Sequence, residues 1–255
     1  MINVLLVDSG AGGVNILCEC VRVCPRCNYL LFCDHFNLPY GEKSKSELIK
    51  ITEKNLNLIE SFFKFDIVIF ACNTLTATVI DEMRDLRKNV IFIGTVPAIK
   101  PALAEFPAKD ILLVATKTTT ENNKLFLKHK NEINFLILKE LASLIDENLE
   151  SIETLSPYLE KKLTGDFKAL VLGCTHYLSV ASLIKEIHPN VKIFDSANGV
   201  ARRLLSFVDM LEGGEVLVNK KGETTYENFN VQIMCDDDEM RAKFWWYYFK
   251  KINEN

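Results

Sequence analysis

The sequence predicts an α/β protein of two similar halves, each a mainly parallel sheet covered on both faces by helices. Three observations carry this. The stretch Phe65-Asp66-Ile67-Val68-Ile69-Phe70-Ala71-Cys72-Asn73-Thr74 is nearly copied in Phe167-Lys168-Ala169-Leu170-Val171-Leu172-Gly173-Cys174-Thr175-His176, with cysteine seven positions after phenylalanine in both. Strand and helix patterns alternate along the chain, which implies parallel strands joined by helical crossovers. After Pro97 the rhythm restarts. With 255 residues, 48% of them apolar, the chain can bury two modest cores of ~100–150 residues each.

Asn3 to Val7 is an apolar run ending in Asp8-Ser9-Gly10; without a basic segment before it, it reads as a strand and not a signal peptide. Gly13 to Val23 reads as an amphipathic helix and Tyr29 to Cys33 as a strand. A polar loop through Asn37-Leu38-Pro39-Tyr40-Gly41 leads to a helix from Lys45 to Phe62. The first cysteine strand follows, with Asn73 and Thr74 as N-caps of a helix from Leu75 to Leu86, and Val90 to Ile93 as the next strand. In the second half, helices are expected at Ile99 to Ala104, Thr119 to His129 and Ser151 to Lys162, and strands at Ile111 to Ala115 and Phe135 to Leu138. The second cysteine strand precedes a helix from Tyr177 to Ile187, capped by Thr175, and a strand from Lys192 to Phe194. Asp195-Ser196-Ala197 echoes Asp8-Ser9-Gly10. A long helix, Gly199 to Leu211, returns toward the first half; a polar hairpin or loop, a strand from Val231 to Met234 and an aromatic-rich helix from Glu239 to Lys251 finish the chain. The six aromatics Phe244 to Phe249 cannot all face inward, so some are expected at a subunit contact. The expected division is residues 1–97 with 208–255 as one domain and 98–207 as the other.

A net charge of −4 with scattered Lys and Arg argues against a nucleic-acid surface. No apolar stretch approaches ~18 residues, so no membrane span is expected and the location is read as cytoplasmic. Five of the eight cysteines lie close together (Cys18, Cys20, Cys24, Cys27, Cys33), and Cys24-Pro25-Arg26-Cys27 has the spacing of half a zinc site. One half-site cannot close a tetrahedral shell, so no metal is expected, and reduced thiols used in packing are.

An apolar run with β-branched residues reads as a strand buried on both faces, so Cys72 and Cys174 should each emerge at the carboxyl end of a central strand. Open α/β sheets bind ligands there. Either cysteine alone would read as a small core residue. The pairing, and the polar residues after each thiol, argue for chemistry. Two thiols facing one small molecule from opposite sides can remove a proton from one face of a carbon and return another to the opposite face, as a cofactor-independent racemase requires. Gly12-Gly13 lacks the spacing of a dinucleotide fingerprint. A free thiol of pKa ~8.5 is only a few per cent ionised at neutral pH, so each needs help. Asp8, at a strand end, is the candidate for Cys72, and His176, two residues past Cys174, for the other. The plainer roles are a turn carboxylate for Asp8 and an ordinary turn for Pro39-Tyr40-Gly41. Helix starts at Asn73, Thr74 and Thr175 would offer N–H groups to a substrate carboxylate.

The segments Asp8-Ser9-Gly10-Ala11-Gly12-Gly13, Pro39-Tyr40-Gly41, Ala71-Cys72-Asn73-Thr74, Val96-Pro97-Ala98, Ala115-Thr116-Lys117-Thr118-Thr119 and Gly173-Cys174-Thr175-His176 stand in the order found in the aspartate/glutamate racemase family. The chain resembles that family along nearly its whole length. Histidine after Gly-Cys-Thr is similar to the glutamate enzymes, since those acting on aspartate usually carry glutamate there. The resemblance implies two pseudo-twofold related domains with the active site between them, and no pyridoxal phosphate or metal. It implies Cys72 and Cys174 as the acid/base pair, assisted by Asp8 and His176. Substrate contacts map to Asp8, Ser9, Tyr40, Gly41, Asn73, Thr74, Thr116, Thr119, Thr175 and His176. The substrate would be glutamate, the product D-glutamate for bacterial peptidoglycan, and the assembly a homodimer. Three departures stand out: Asp146 where the family often has glutamate, Asn122 for a serine, and Cys235-Asp236-Asp237 near the carboxyl end. An aspartate or related racemase, or a two-lobed protein that binds an amino acid without turning it over, are the alternatives.

Overall fold

Nine apolar runs form strands among the residues that the computed structural model describes, 1–212, 231–235 and 249. β1 (Asn3–Asp8), β2 (Asn28–Cys33), β3 (Ile67–Phe70) and β4 (Ile91–Gly94) belong to one sheet, and β5 (Ile111–Ala115), β6 (Asn134–Ile137), β7 (Ala169–Gly173) and β8 (Lys192–Phe194) to a second. β9 (Val231–Cys235) returns to the edge of the first, pairing with β2. All pairings are parallel, in the orders β4-β3-β1-β2-β9 and β6-β5-β7-β8. The series β4-β3-β1-β2 thus recurs as β8-β7-β5-β6, and β3 and β7, the two cysteine strands, are equivalent. The echo between Asp8-Ser9 and Asp195-Ser196 does not follow this symmetry. β1 corresponds to β5, and with Cys72 matched to Cys174 the register makes Ala115-Thr116 the counterpart of Asp8-Ser9, while Asp195 follows β8.

The central strands are apolar on both faces because helices cover both. In the first half these are α1 (Gly12–Val23), α2 (Lys45–Glu60) and α3 (Asn73–Leu86); the second half carries α4 (Ile99–Glu105), α5 (Lys117–Asn122), α6 (Lys124–His129), α7 (Leu141–Glu147), α8 (Ser156–Lys162) and α9 (Ala181–Ile187). α10 (Ala197–Leu211) buries Ala197, Val200, Ala201, Leu204 and Val208, a helical stripe, in the core of the first sheet beside α1. The expected boundary at residue 208 therefore falls inside an element that packs as one piece. Truncating Leu204, fully buried, would cost about 2–5 kcal/mol. Ser44 opens α2 with a capping box, its hydroxyl accepting from Glu47 N while Glu47 reaches back to Ser44 N.

Several expected elements differ. Cys72 itself is the cap residue of α3, and Asn73 and Thr74 are its first helical residues, because their side chains are engaged elsewhere: Asn73 donates to Thr95 O and Thr74 bonds across to α5. After Cys174 the chain makes a 3-10 segment, Thr175–Val180, before α9, so Thr175 caps no α-helix. Its tighter three-residue repeat lets His176 and Ser179 reach the first half while Tyr177 and Val180 fill the second core. The helix expected from Thr119 to His129 is two, since Asn123 Oδ1 accepts from Phe126 N at 2.8 Å and starts α6; Asn122 ends α5 with its amide donating to Thr118 O. The helix expected from Ser151 is a kinked 3-10 segment, Leu149–Leu155, followed by α8, which has proline in its first turn. α7 was not expected, although Leu141, Ala142 and Ile145 mark one buried face. The loop at 213–228 lies outside the described residues, as does most of the aromatic helix; of its aromatics only Phe249 is described, buried in the first core.

Candidate active site

Each sheet changes the direction of its strand order between two neighbours, β1 and β3 in the first and β5 and β7 in the second. Ligands sit beyond the carboxyl ends at such points. Asp8 ends β1 and Cys72 follows β3; Thr116 follows β5 and Cys174 follows β7. The ends of the two sheets enclose a single cavity of about 520 Å³, lined by both thiols together with Ser9, Tyr40, Gly41, Thr74, Thr116 and His176. Cys72 and Cys174 are only 7% and 8% exposed, so each sulfur is desolvated at the cavity wall.

On the first side, burial pushes the Cys72 thiol well up, and the Asp8 carboxylate pushes it further, while the N–H groups of Leu75 and Thr74 at the start of α3 work against that rise. Burial also lifts Asp8 from 3.8 to about 6; His176, the N–H of Ser9 and the Cys72 thiol hold it from rising more. Ser9 N donates to Asp8 Oδ1 at 2.8 Å and Thr175 Oγ1 to Oδ2 at 3.2 Å. The pair thus sets a thiol held above its ordinary value against a carboxylate also held above its own.

On the second side, Cys174 Sγ lies 3.8 Å from His176 Nδ1, and His176 Nε2 lies 3.3 Å from Asp146 Oδ1. The Nε2–Oδ1 contact is an ion pair without hydrogen-bond alignment, since Nε2 and Asp146 Oδ2 are both left without hydrogen-bond partners. Burial opposes charging His176, but the Asp146 carboxylate and Cys174 outweigh it and hold the imidazole well above its ordinary value. Asp146 Oδ1 also accepts from Ala11 N at 3.2 Å, so the shorter carboxylate reaches both the histidine and the first half. Such proximity requires glycine. A Cβ on Gly10 would stand 2.3 Å from Asp146 Oδ2 and 2.7 Å from His176 Nε2, and one on Gly12 would stand 2.6 Å from His176 Nδ1.

The hydroxyls of Thr74, Thr116 and Thr119 meet across the two halves. Thr74 Oγ1 is 3.0 Å from Thr116 Oγ1 and 3.3 Å from Thr119 Oγ1, and Thr116 and Thr119 are 2.9 Å apart. Thr118 Oγ1 donates to Gly41 O across the same seam. Asn15 Nδ2 donates to Thr175 O and Ser179 Oγ.

Of the expected site residues, Asp8, Asn73, Thr119 and Thr175 stand behind the cavity wall and not in it. Asn73 Oδ1 is buried with no hydrogen-bond partner. Tyr40 lines the cavity with its ring, but its hydroxyl donates to Asp34 Oδ2 at 2.6 Å; burial and Asp34 together hold its proton in place. Asp34 was not singled out from the sequence. It accepts from Asn37 and Asn55 as well, fixing the loop that carries Tyr40 and Gly41. Its signal was available, since it follows the apolar run of β2 as Asp8 follows that of β1. Lys43, Lys117 and Lys139 also line the cavity.

No family model matches the chain. It is 35% identical over 215 residues to the glutamate racemase of Clostridium acetobutylicum, covering 80% of this chain and 83% of that protein. To the glutamate racemase of Clostridium botulinum it is 33% identical over 238 residues, covering 88% and 90%. Among solved structures, it is similar to Escherichia coli glutamate racemase in complex with L-glutamate and the activator UDP-MurNAc-ala, with a TM-score of 0.79 at 24% identity over 98% of this chain and 94% of that one. Similarity to the Francisella tularensis glutamate racemase in complex with D-glutamate gives a TM-score of 0.72 at 22% identity over the same shares, 98% and 94%. The structures share the fold at these identities, and the sequence relatives decide the family. The chain belongs to the glutamate racemase family.

Proposed function

We propose that this protein interconverts L- and D-glutamate by a two-base proton transfer at Cα between Cys72 and Cys174. The observation that carries it is the placement of one thiol from each sheet on the wall of a single cavity. Asp8 relieves Cys72 of its proton, so that the sulfur can take the α-proton from one face. Cys174, backed by the His176 imidazole, delivers a proton to the other. In the reverse direction the roles exchange, and a base held ~3–3.5 Å from the carbon suffices at each face. The negative charge that develops on the substrate carboxylate meets the hydroxyls of Ser9, Thr74 and Thr116. Of the residues expected from the family, Ser9, Tyr40, Gly41, Thr74, Thr116 and His176, which line the cavity, are proposed to contact substrate, and Asp8, Asn73, Thr119 and Thr175, behind its wall, to support them. The reaction as proposed uses no cofactor. A supply of D-glutamate for peptidoglycan, a cytoplasmic location and a homodimer complete the reading, with the domain split refined to the start of α10. Among the described residues no helix is long and apolar enough to cross a membrane.

Circular dichroism of L-glutamate incubated with the protein tests the activity, with L-aspartate as the competitor of lower kcat/KM. Cys72→Ser and Cys174→Ser should each lower racemisation by at least ~10³-fold. Full activity in either variant would end the two-base reading, and glutamate binding without α-proton exchange into deuterated solvent would favour a binding protein.

A further inference from the structure

The thiols clustered in the first half play no part in the chemistry above. Cys24 closes α1, its N–H bonded to Cys20 O at 2.8 Å, and Cys27 directly precedes β2. Their sulfurs are 3.7 Å apart and both side chains are buried, while Pro25 and Arg26 between them are exposed. The Tyr29 hydroxyl donates to the carbonyls of Cys20 at 3.1 Å and Cys24 at 2.5 Å, fixing the end of the helix. Arg26 reaches over to α10, where it pairs with Glu212 at 2.8 Å and with Asp209. Among the described residues no group of three or more His, Cys, Asp or Glu side chains is placed to hold a metal ion.

We propose that Cys24 and Cys27 form a reversible thiol–disulfide site, oxidised by a low-molecular-weight disulfide. An S–S bond is ~2.05 Å long, so the sulfurs must approach by about 1.7 Å from 3.7 Å. Cys24 is the attacking group. The hydrogen bond from Cys27 lowers its thiol, Arg26 adds to this, and burial only partly opposes it, while Cys27 is correspondingly held up. Cys24 thiolate attacks one sulfur of the small disulfide, forming a mixed disulfide and releasing one thiol. Cys27 then gives up its proton and attacks Cys24 Sγ, releasing the second. The two protein thiols lose two electrons and two protons to the external disulfide, which leaves as two thiols.

The full-length reduced protein, equilibrated with mixtures of oxidised and reduced glutathione, quenched in acid, unfolded and alkylated, reports the state of each cysteine by peptide mass spectrometry. The expected result is a peptide holding Cys24 and Cys27 joined and unalkylated, at ratios that leave Cys72 and Cys174 alkylated, with reversal on adding reduced glutathione. Cys27→Ser should stop at the first step, with Cys24 carrying one glutathione. Both cysteines alkylated at every ratio would overturn the proposal, and so would equal bridging in the urea-unfolded chain, which would credit sequence proximity alone. The wild-type measurement decides the matter even if the variant does not fold.

Discussion

Replacing Gly12 with alanine tests whether the first half is built to admit His176. The added Cβ would stand 2.6 Å from His176 Nδ1, 2.7 Å from His176 N and 2.7 Å from Thr175 Oγ1. Rotating a side chain away does not relieve this, because one contact is backbone and the other two belong to buried groups tied to Asp146, Cys174 and Asp8. Backbone strain at residue 12 is not the cause, since among the described residues only Gly165 has positive φ. Ordinary contact begins near 3.4 Å, so α1 and the turn after Cys174 must part by about 0.8 Å. A displacement of ~1 Å at reacting groups costs ~10²-fold, so Gly12→Ala should lower kcat by roughly 10- to 100-fold. Overpacking should also cost about 1–3 kcal/mol of stability. Steady-state racemisation followed by circular dichroism gives the first quantity and denaturant unfolding the second. Gly199→Ala is the control, since its Cβ meets no described atom within 4 Å; it should leave kcat unchanged and stabilise α10 by about 1 kcal/mol. Gly12→Ala with wild-type kcat and an unchanged unfolding midpoint would refute the reasoning.

Asp8→Asn gives a prediction in pH. Because burial raises Asp8 from 3.8 to about 6, the folded chain holds that proton more tightly than the unfolded one, and the resulting stability is complete below pH 3.8 and lost as pH climbs through 6. Above pH 7 the ionised carboxylate therefore costs about 3 kcal/mol, which Asp8→Asn removes; the variant should be inactive yet higher in Tm at pH 7.5, with the gain gone by pH 4, and a pH-independent difference would contradict it. Asp146→Asn should lower the pKa of His176, read directly by an NMR titration of its imidazole, and a titration matching wild type would mean that Asp146 does not set it. Thr116→Val removes a hydroxyl from the seam and should raise KM for glutamate about 10-fold with a smaller effect on kcat, whereas a pure kcat effect would place this side chain in the proton-transfer step.

Most of the strand framework was legible because apolar runs bounded by turn signals leave few alternatives, and both thiols were legible because the chain repeats itself around them. What escaped depended on partners distant in sequence. The turn after Cys174 is 3-10 because His176 is drawn to Asp146 and Ser179 to Asn15, contacts that no local pattern announces. Asp195-Ser196 resembled Asp8-Ser9 in letters, but equivalence between the halves lies in strand order and register, which assign Ala115-Thr116 to that place. Asp34 was passed over because its role, holding Tyr40 and two asparagines, becomes visible only when the loop is folded back upon it. The shortened Asp146 reaches His176 because Gly10 and Gly12 let the halves approach so closely.

The threonine hydroxyls that join the two halves bond to one another only while nothing else claims them. In the proposed reaction, a substrate carboxylate arriving between Thr74 and Thr116 would trade their mutual bond for bonds to itself, and the guest would become the keystone of the arch it enters. Grip on the ligand and cohesion of the halves would then be a single quantity, and release of either enantiomer would wait until the arch gives way.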